Sequence, residues 1–180
     1  MVFRNIMLYG GGGNNIGHHI LQALARDSTF KTTVLARESS KTVYPASVGV
    51  AKVPDDFPHG ALVQAMQEQD VVICAPFTNQ DKVLEAALEA GVKRFVPSEF
   101  GIDNADPKNQ ALSPVFRSKN EFATLLQSKE SENFSWTAFA NSIWLDWALD
   151  TGYIGIDPHA HTVQYWANGT YTDACNPRRR

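Results

Sequence analysis

The sequence predicts an α/β fold: a doubly wound parallel sheet with helices on both faces, followed by the start of a smaller lobe. Three observations carry this. Short apolar runs alternate with segments of helical period from Ile6 to Ser128, the order that builds βαβ units. The runs are continuous, as in Val71-Val72-Ile73-Cys74-Ala75, which suits strands covered on both sides. The first run passes straight into Gly10-Gly11-Gly12-Gly13 and then into a helix start, leaving only a tight turn between strand and helix.

Ile6 to Tyr9 is the first strand, and Ile16, Ile20, Leu21 and Leu24 then recur at helical spacing. Glycines in the turn between them tolerate positive φ and let a pyrophosphate approach the backbone, while the amino end of the following helix attracts its charge. Gly10, Gly11, Gly13, Asn14, Asn15, Ile16 and Gly17 are therefore candidates for holding a dinucleotide. Gly11, Gly13 and Gly17 make G-x-G-x-x-x-G, one residue longer than the dinucleotide fingerprint, with Asn14 or Asn15 available for a left-handed position. The competing reading is a tight connection that holds no ligand.

Lys31 to Arg37 reads as a second strand and Val48 to Val53 as a third, with Pro45, Pro54 and Pro58 punctuating the connections. Ala61 to Gln69 carries Leu62, Val63 and Met66 at helical spacing, and Asp70 to Ala75 is a fourth strand stopped by Pro76. Lys82 to Ala90 is a helix closed by Gly91, and Arg94 to Pro97 is a fifth strand.

Ligands of open parallel sheets bind at the carboxyl ends of the strands, near the point where strand order reverses. Four pieces of chain should converge there: the glycine turn, the neighbourhood of Arg37, the turn Ala75-Pro76-Phe77-Thr78, and Pro97-Ser98-Glu99-Phe100-Gly101. Phe77, Ser98 and Phe100 join the cofactor candidates on this ground. Arg37 stands roughly 20 residues beyond Gly17, where an acidic residue would bond the ribose of NAD. A guanidinium suits a 2′-phosphate instead, with Lys41 near enough in sequence to join it, so the pattern favours NADPH over NADH. Glu38 is the alternative ribose ligand, and a solvated loop charge is the alternative for Arg37.

Between Pro114 and Ser128, Val115, Phe122, Leu125 and Leu126 mark one helical face, with Pro114 suited to the first turn. Lys119 falls on that face. A lysine in an apolar stripe must pair, shift its pKa or send its ammonium to water at the rim. Arg117 and Asn120 read as surface.

Of the 180 residues, 43% are hydrophobic and 19% charged, enough for one core and the beginning of a second lobe. The net charge of −3 gives no general attraction to nucleic acid or anionic lipid. No apolar run approaches the roughly 18 residues that span a bilayer, and the first residues carry no signal-peptide pattern, so a cytoplasmic protein is expected. Cys74 and Cys175 offer neither metal spacing nor a disulfide framework. His159 and His161 lack a nearby third ligand and read as surface, so no metal is expected. His18 and His19 read as a solvated helix face, Trp136, Trp144, Trp147 and Trp166 as packing for the sheet edge or second lobe, and Arg178 to Arg180 as a tail too short for nucleic acid.

The glycine-rich opening through Asn14-Asn15-Ile16-Gly17-His18-His19-Ile20-Leu21, then Val34-Leu35-Ala36-Arg37, then Gly91-Val92-Lys93-Arg94-Phe95-Val96-Pro97-Ser98-Glu99-Phe100-Gly101 resembles the isoflavone reductase-like branch of the NmrA-like family, which are atypical short-chain dehydrogenases/reductases. The similarity continues through Pro114-Val115-Phe116-Arg117-Ser118-Lys119, Trp136-Thr137-Ala138 and Asp146-Trp147 to Gly155. The resemblance implies a Rossmann-type fold, NADP(H) held by the glycine turn with Arg37 and Lys41, and Lys119 at the position of the family's catalytic lysine. It also implies reduction of a small aromatic substrate of phenylpropanoid or isoflavonoid type. In such a reaction hydride goes to a polarised carbon, and the lysine ammonium stabilises or protonates the neighbouring oxygen. No tyrosine here is followed four residues later by lysine, so the Tyr-x-x-x-Lys alternative is absent.

Two departures from the family stand out: the extra residue in the glycine turn, and the short stretch after Ser142. Residues 1–141 are expected to form the dinucleotide-binding domain, and 142–180 a partial substrate lobe ending in a divergent tail, as in a truncated homologue. The resemblance leaves an alternative open, a dinucleotide-binding regulator with a protein partner or an inactive truncated homologue, in either case without turnover.

Overall fold

Residues whose side chains have nowhere to go but inward form the inner strands. Met7, Leu8, Val34 and Val72 are wholly inaccessible and Leu35 nearly so, and the helices supply the layers that cover them. The computed structural model describes residues 2–13 and 15–164. Its elements are β1 (Asn5–Tyr9), α1 (Ile16–Arg26), β2 (Lys31–Arg37), β3 (Gly49–Val53), α2 (His59–Ala65), β4 (Val71–Cys74), α3 (Gln80–Glu89), β5 (Arg94–Val96), α4 (Pro107–Leu112), α5 (Pro114–Lys129), β6 (Ser135–Trp136), α6 (Leu145–Asp150), β7 (Ile156–Asp157) and β8 (Thr162–Val163).

The first six strands form one sheet in the order β3-β2-β1-β4-β5-β6, every neighbouring pair parallel. Strand order reverses between β1 and β4, whose carboxyl ends meet at Tyr9 and Cys74. The α/β class and the doubly wound sheet read from the sequence are therefore those of the structure. On one face Leu62 and Met66, Val83 and Leu84, and Phe122 and Leu126 bring α2, α3 and α5 against Met7, Leu35, Val72 and Phe95. On the other, Leu21 with Ile16 and Ile20 brings α1 against Leu8, Val34 and Ala36. Covering on both faces is what continuous apolar strands require.

The amino end of the sheet is clipped by one acidic residue. Asp70 Oδ2 accepts from the backbone N–H groups of Arg4 and Asn5, each at 3.0 Å. Lys93 Nζ donates to Oδ1 at 2.7 Å. The Lys93 hydrogen bond leads the two backbone bonds in lowering the Asp70 carboxyl from its ordinary 3.8 to about 2.

Two sequence expectations change. The helix anticipated to Gln69 stops at Ala65, and Glu68 takes a positive φ of 63° as the chain turns to bring Asp70 beneath the strands. The stripe on α5 is narrower than its spacing implied. Phe122 and Leu126 are buried, Phe122 against Phe95 of β5, but Val115 is 49% exposed and Leu125 41%. Cys74 is buried and free, and burial pushes its thiol far up. His159 and His161 are exposed. Asn14, Trp166, Cys175 and the terminal arginines lie outside the described residues.

Candidate active site

The glycine turn is built around a close approach of helix to strand. Gly10 leaves β1 with φ +90°, and a Cβ there would lie 2.4 Å from Pro76 Cδ. A Cβ at Gly17 would lie 2.1 Å from the Gly10 carbonyl oxygen. Only glycine lets α1 begin this near the end of β1, which is the role of the last glycine in a dinucleotide fingerprint. Gly11 is buried against Leu8, Val34 and Leu21, whereas Gly13, at φ +119°, opens outward with only Asn15 Nδ2 at 4.0 Å. The two contacts that set the depth of the turn stand at Gly10 and Gly17.

Asn15 caps α1, its Oδ1 accepting from the Gly17 N–H at 3.1 Å. Ile16 opens the helix half-buried in the α1-side core. Across the crevice Ala75 N–H donates to the Tyr9 carbonyl at 2.9 Å. Ser98 Oγ donates to the Ala75 carbonyl at 2.8 Å, and Ser98 N–H to Gln80 Oε1 at 3.2 Å. Three of the four segments expected at the carboxyl rim are therefore physically tied together: the glycine turn, the turn after β4, and the segment after β5. Phe77, 39% exposed, lines a cavity of about 620 Å³ with Ser118, Phe122 and Leu125 of α5. Phe100 stacks on Phe139 at 6.1 Å, its carbonyl accepting from Trp144 Nε1 at 2.7 Å. That bond and Ser142 N–H to the Gly101 carbonyl, 2.9 Å, hang the later part of the chain on the rim.

Arg37 is exposed at the end of β2. The loop that follows folds over the turn: a Cβ at Gly12 would meet Thr42 Oγ1 at 2.9 Å and the Tyr44 hydroxyl at 3.1 Å. Lys41 is exposed and makes no hydrogen bond among the described residues. The lysine that reaches this loop is Lys52, which donates to the carbonyls of Ser40 at 3.2 Å and Glu38 at 3.4 Å. Sequence reading missed Thr42, Tyr44 and Lys52, since only the fold carries the loop across the glycines.

Lys119 is half-buried on α5. Burial pushes its ammonium below the usual lysine range, and the Glu99 carboxylate pulls the other way. Glu99 is buried after β5, and burial raises its carboxyl against the opposing effects of the Asn104 hydrogen bond and the Lys119 charge. No direct ion pair joins the two among the described residues. An ammonium that loses its proton more readily than usual can serve as a proton donor.

Residues 4–146 match the sequence pattern of the NmrA-like family. The chain belongs to the NmrA-like family. This NmrA-like protein is 39% identical over 145 residues to the oxidoreductase aprR of Aspergillus flavus, covering 78% of the chain and 49% of the relative. It is 32% identical over 165 residues to the phenylcoumaran benzylic ether reductase Pyrc5 of Pyrus communis, covering 84% of the chain and 53% of the relative. Among solved structures, isoflavone reductase aligns with a TM-score of 0.63 at 27% identity, covering 85% of the chain and 52% of that structure. The chain spans about half the length of the curated relatives it matches. Among its described residues no helix is long and apolar enough to cross a membrane.

Proposed function

We propose that this NmrA-like protein binds NADP(H) at the carboxyl rim of its sheet and reduces a small aromatic substrate, of phenylpropanoid or isoflavonoid type, in the cytoplasm. The observation that carries the reading is the cradle at Gly10 and Gly17, where the missing Cβ atoms bring the amino end of α1 against the end of β1. Such a cradle fits a diphosphate, because backbone N–H groups and the helix dipole both favour an anion there. Gly11, Gly13, Asn14, Asn15 and Ile16 complete it. Arg37 would take the adenosine 2′-phosphate, with Lys41 beside it, through charge-assisted hydrogen bonds. Phe77, Ser98 and Phe100 would line the nicotinamide side.

When bound, the cofactor supplies hydride. The chain's own residues supply the rest. Lys119 holds a proton close to the rim and delivers it to the substrate oxygen that becomes electron-rich, its burial making the proton easier to release. Phe77, Phe122 and Leu125 offer an apolar wall to an aromatic ring. In this reading residues 1–141 form the dinucleotide domain and 142–180 open the substrate lobe, with the Asn15, Ile16, Trp144 and Trp147 cavity of about 390 Å³ between α1 and α6. The names of the relatives, reductases of isoflavones and of benzylic ethers, support this substrate class.

The test is NADPH oxidation followed in stopped flow against a panel of phenolic ethers and enones. Oxidation with at least one member of the panel is the expected result. Saturable NADPH binding without oxidation by any of them would favour instead a dinucleotide-sensing regulator with a protein partner.

A further inference from the structure

Gln80 opens α3, and its side-chain amide is used at only one end. The residue is 3% exposed, and its Oε1 accepts from the Ser98 N–H at 3.2 Å. Its Nε2 donates to nothing among the described residues, yet it is not one of the buried polar atoms cut off from solvent. For a side chain this deeply placed, the remaining opening is the cavity of about 620 Å³ that Gln80 lines with Phe77, Phe122 and Leu125. An amide N–H that faces a cavity without an acceptor is a donor ready for whatever enters.

The charges around this cavity are all of one sign. Asp81 and Glu121 are its ionisable lining residues, both exposed, and neither joins an ion pair among the described residues. Lys82, beside Asp81 in sequence, is engaged elsewhere, its Nζ donating to the Asp56 carbonyl at 2.9 Å. Asp81 also sits in the first turn of α3, where its carboxylate takes up the attraction that a helix amino end offers an anion. A carboxylate on an entering ring therefore meets two like charges and no cation. An uncharged oxygen meets one unused donor, within apolar walls and a volume usual for small-molecule sites.

We propose that this cavity takes an uncharged aromatic molecule whose acceptor oxygen, a carbonyl or an ether, lies on Gln80 Nε2, and that Asp81 and Glu121 exclude the corresponding aromatic acids. This deepens the reading of Phe77, Phe122 and Leu125 as an aromatic wall and rests on it. It narrows the substrate class to ring compounds without a free carboxylate. Gln80 is then a specificity residue joined to the rim. The amide that meets the ligand also holds the Ser98 N–H, and Ser98 Oγ donates to the Ala75 carbonyl at 2.8 Å.

The experiment is an NMR titration of the isotope-labelled full chain, without dinucleotide, using ring compounds of one shape: benzalacetone, cinnamate, and the hydrocarbon in which isopropyl replaces the acetyl group of benzalacetone. Benzalacetone should shift the Gln80 side-chain amide resonance and bind about tenfold tighter than cinnamate, as two like charges at close range imply. The hydrocarbon should leave that resonance in place. Gln80→Glu keeps an acceptor for Ser98 but removes the donor, so its affinity for benzalacetone should fall about tenfold, with the hydrocarbon little affected. Asp81→Asn combined with Glu121→Gln should bring cinnamate to within about threefold of benzalacetone. Cinnamate binding as tightly as benzalacetone to the wild-type chain, or a Gln80 amide that benzalacetone does not move, overturns the proposal. An unchanged benzalacetone affinity in a folded Gln80→Glu protein does so too. Should that variant fail to fold, the wild-type resonance and the double variant decide. Because no dinucleotide is present, a chain that binds benzalacetone here but oxidises no NADPH would lose the reductase reading and keep this site. NADPH oxidation without benzalacetone binding here would do the reverse.

Discussion

Two acidic residues, Asp70 and Glu99, stand at opposite ends of the same sheet and are treated in opposite ways. Asp70, before β4, takes two backbone N–H groups and a lysine at 2.7–3.0 Å, and its carboxyl is pulled down to about 2. Glu99, after β5, is more deeply buried, takes one donor, keeps one oxygen unpaired, and has its carboxyl pushed up. Lys93 bonds Asp70 directly, whereas no lysine bonds Glu99 among the described residues. A carboxylate with three donors stabilises the fold; a buried one with an oxygen left unpaired adds little stability. The amino end of the sheet is a fastening, and the carboxyl end is where we propose that the worksite lies.

The comparison breaks most visibly at Lys119. Lys119→Ala should lower turnover by about 10²–10⁴-fold, the range for loss of a general acid, while leaving NADPH affinity unchanged; single-turnover oxidation with a reactive phenolic substrate measures it. Unaltered turnover would remove the worksite from this end. Next in size is Gly17→Ala, whose Cβ would lie 2.1 Å from the Gly10 carbonyl oxygen and 3.0 Å from the Ala75 Cβ. Strand and helix must separate, so urea unfolding should show a loss of about 1–3 kcal/mol, accompanied by loss of NADPH binding.

Smallest is the fastening itself. Asp70→Asn keeps one acceptor oxygen but loses the charge, at a cost of about 1 kcal/mol in urea unfolding. Its pH signature is more telling. Because folding lowers the Asp70 carboxyl from 3.8 to about 2, its contribution is fully present above the ordinary carboxylate range and is lost as pH falls toward 2. Wild-type stability should therefore decline through that window more steeply than that of Asp70→Asn, and parallel curves would show that the clip carries no charge-dependent stability.

The sheet was legible because its signals are local. Continuous apolar runs such as Val71 to Cys74, and the helical recurrence of Leu21 with Ile16 and Ile20, depend only on neighbours in sequence. The glycine turn was legible for the same reason, extra residue included. What escaped depends on the fold. The Glu68 turn answers to the distant N–H groups of Arg4 and Asn5. Val115 obeys the helical spacing yet is half exposed. The two-residue β6 is too short to carry a pattern. α4 could have been found, since Asp106-Pro107 is a capping residue followed by proline at the first helical position. At the site, Lys119 stood out by its place on the stripe, but the bond between Glu99 and Asn104 within the loop after β5 carries no sequence signal, and Thr42 and Tyr44 reach Gly12 only because their loop folds back.

The central claim, a rim that grips a diphosphate and selects the phosphorylated adenosine, is tested most directly by isothermal titration of the wild-type chain and Arg37→Ala with NADPH and with NADH. The account predicts saturable binding with NADPH the tighter by about 1.5–3 kcal/mol, the worth of hydrogen bonds to a charged group, and near-equal affinities once Arg37 is gone. No binding of either dinucleotide, or a preference for NADPH that survives Arg37→Ala, would contradict it.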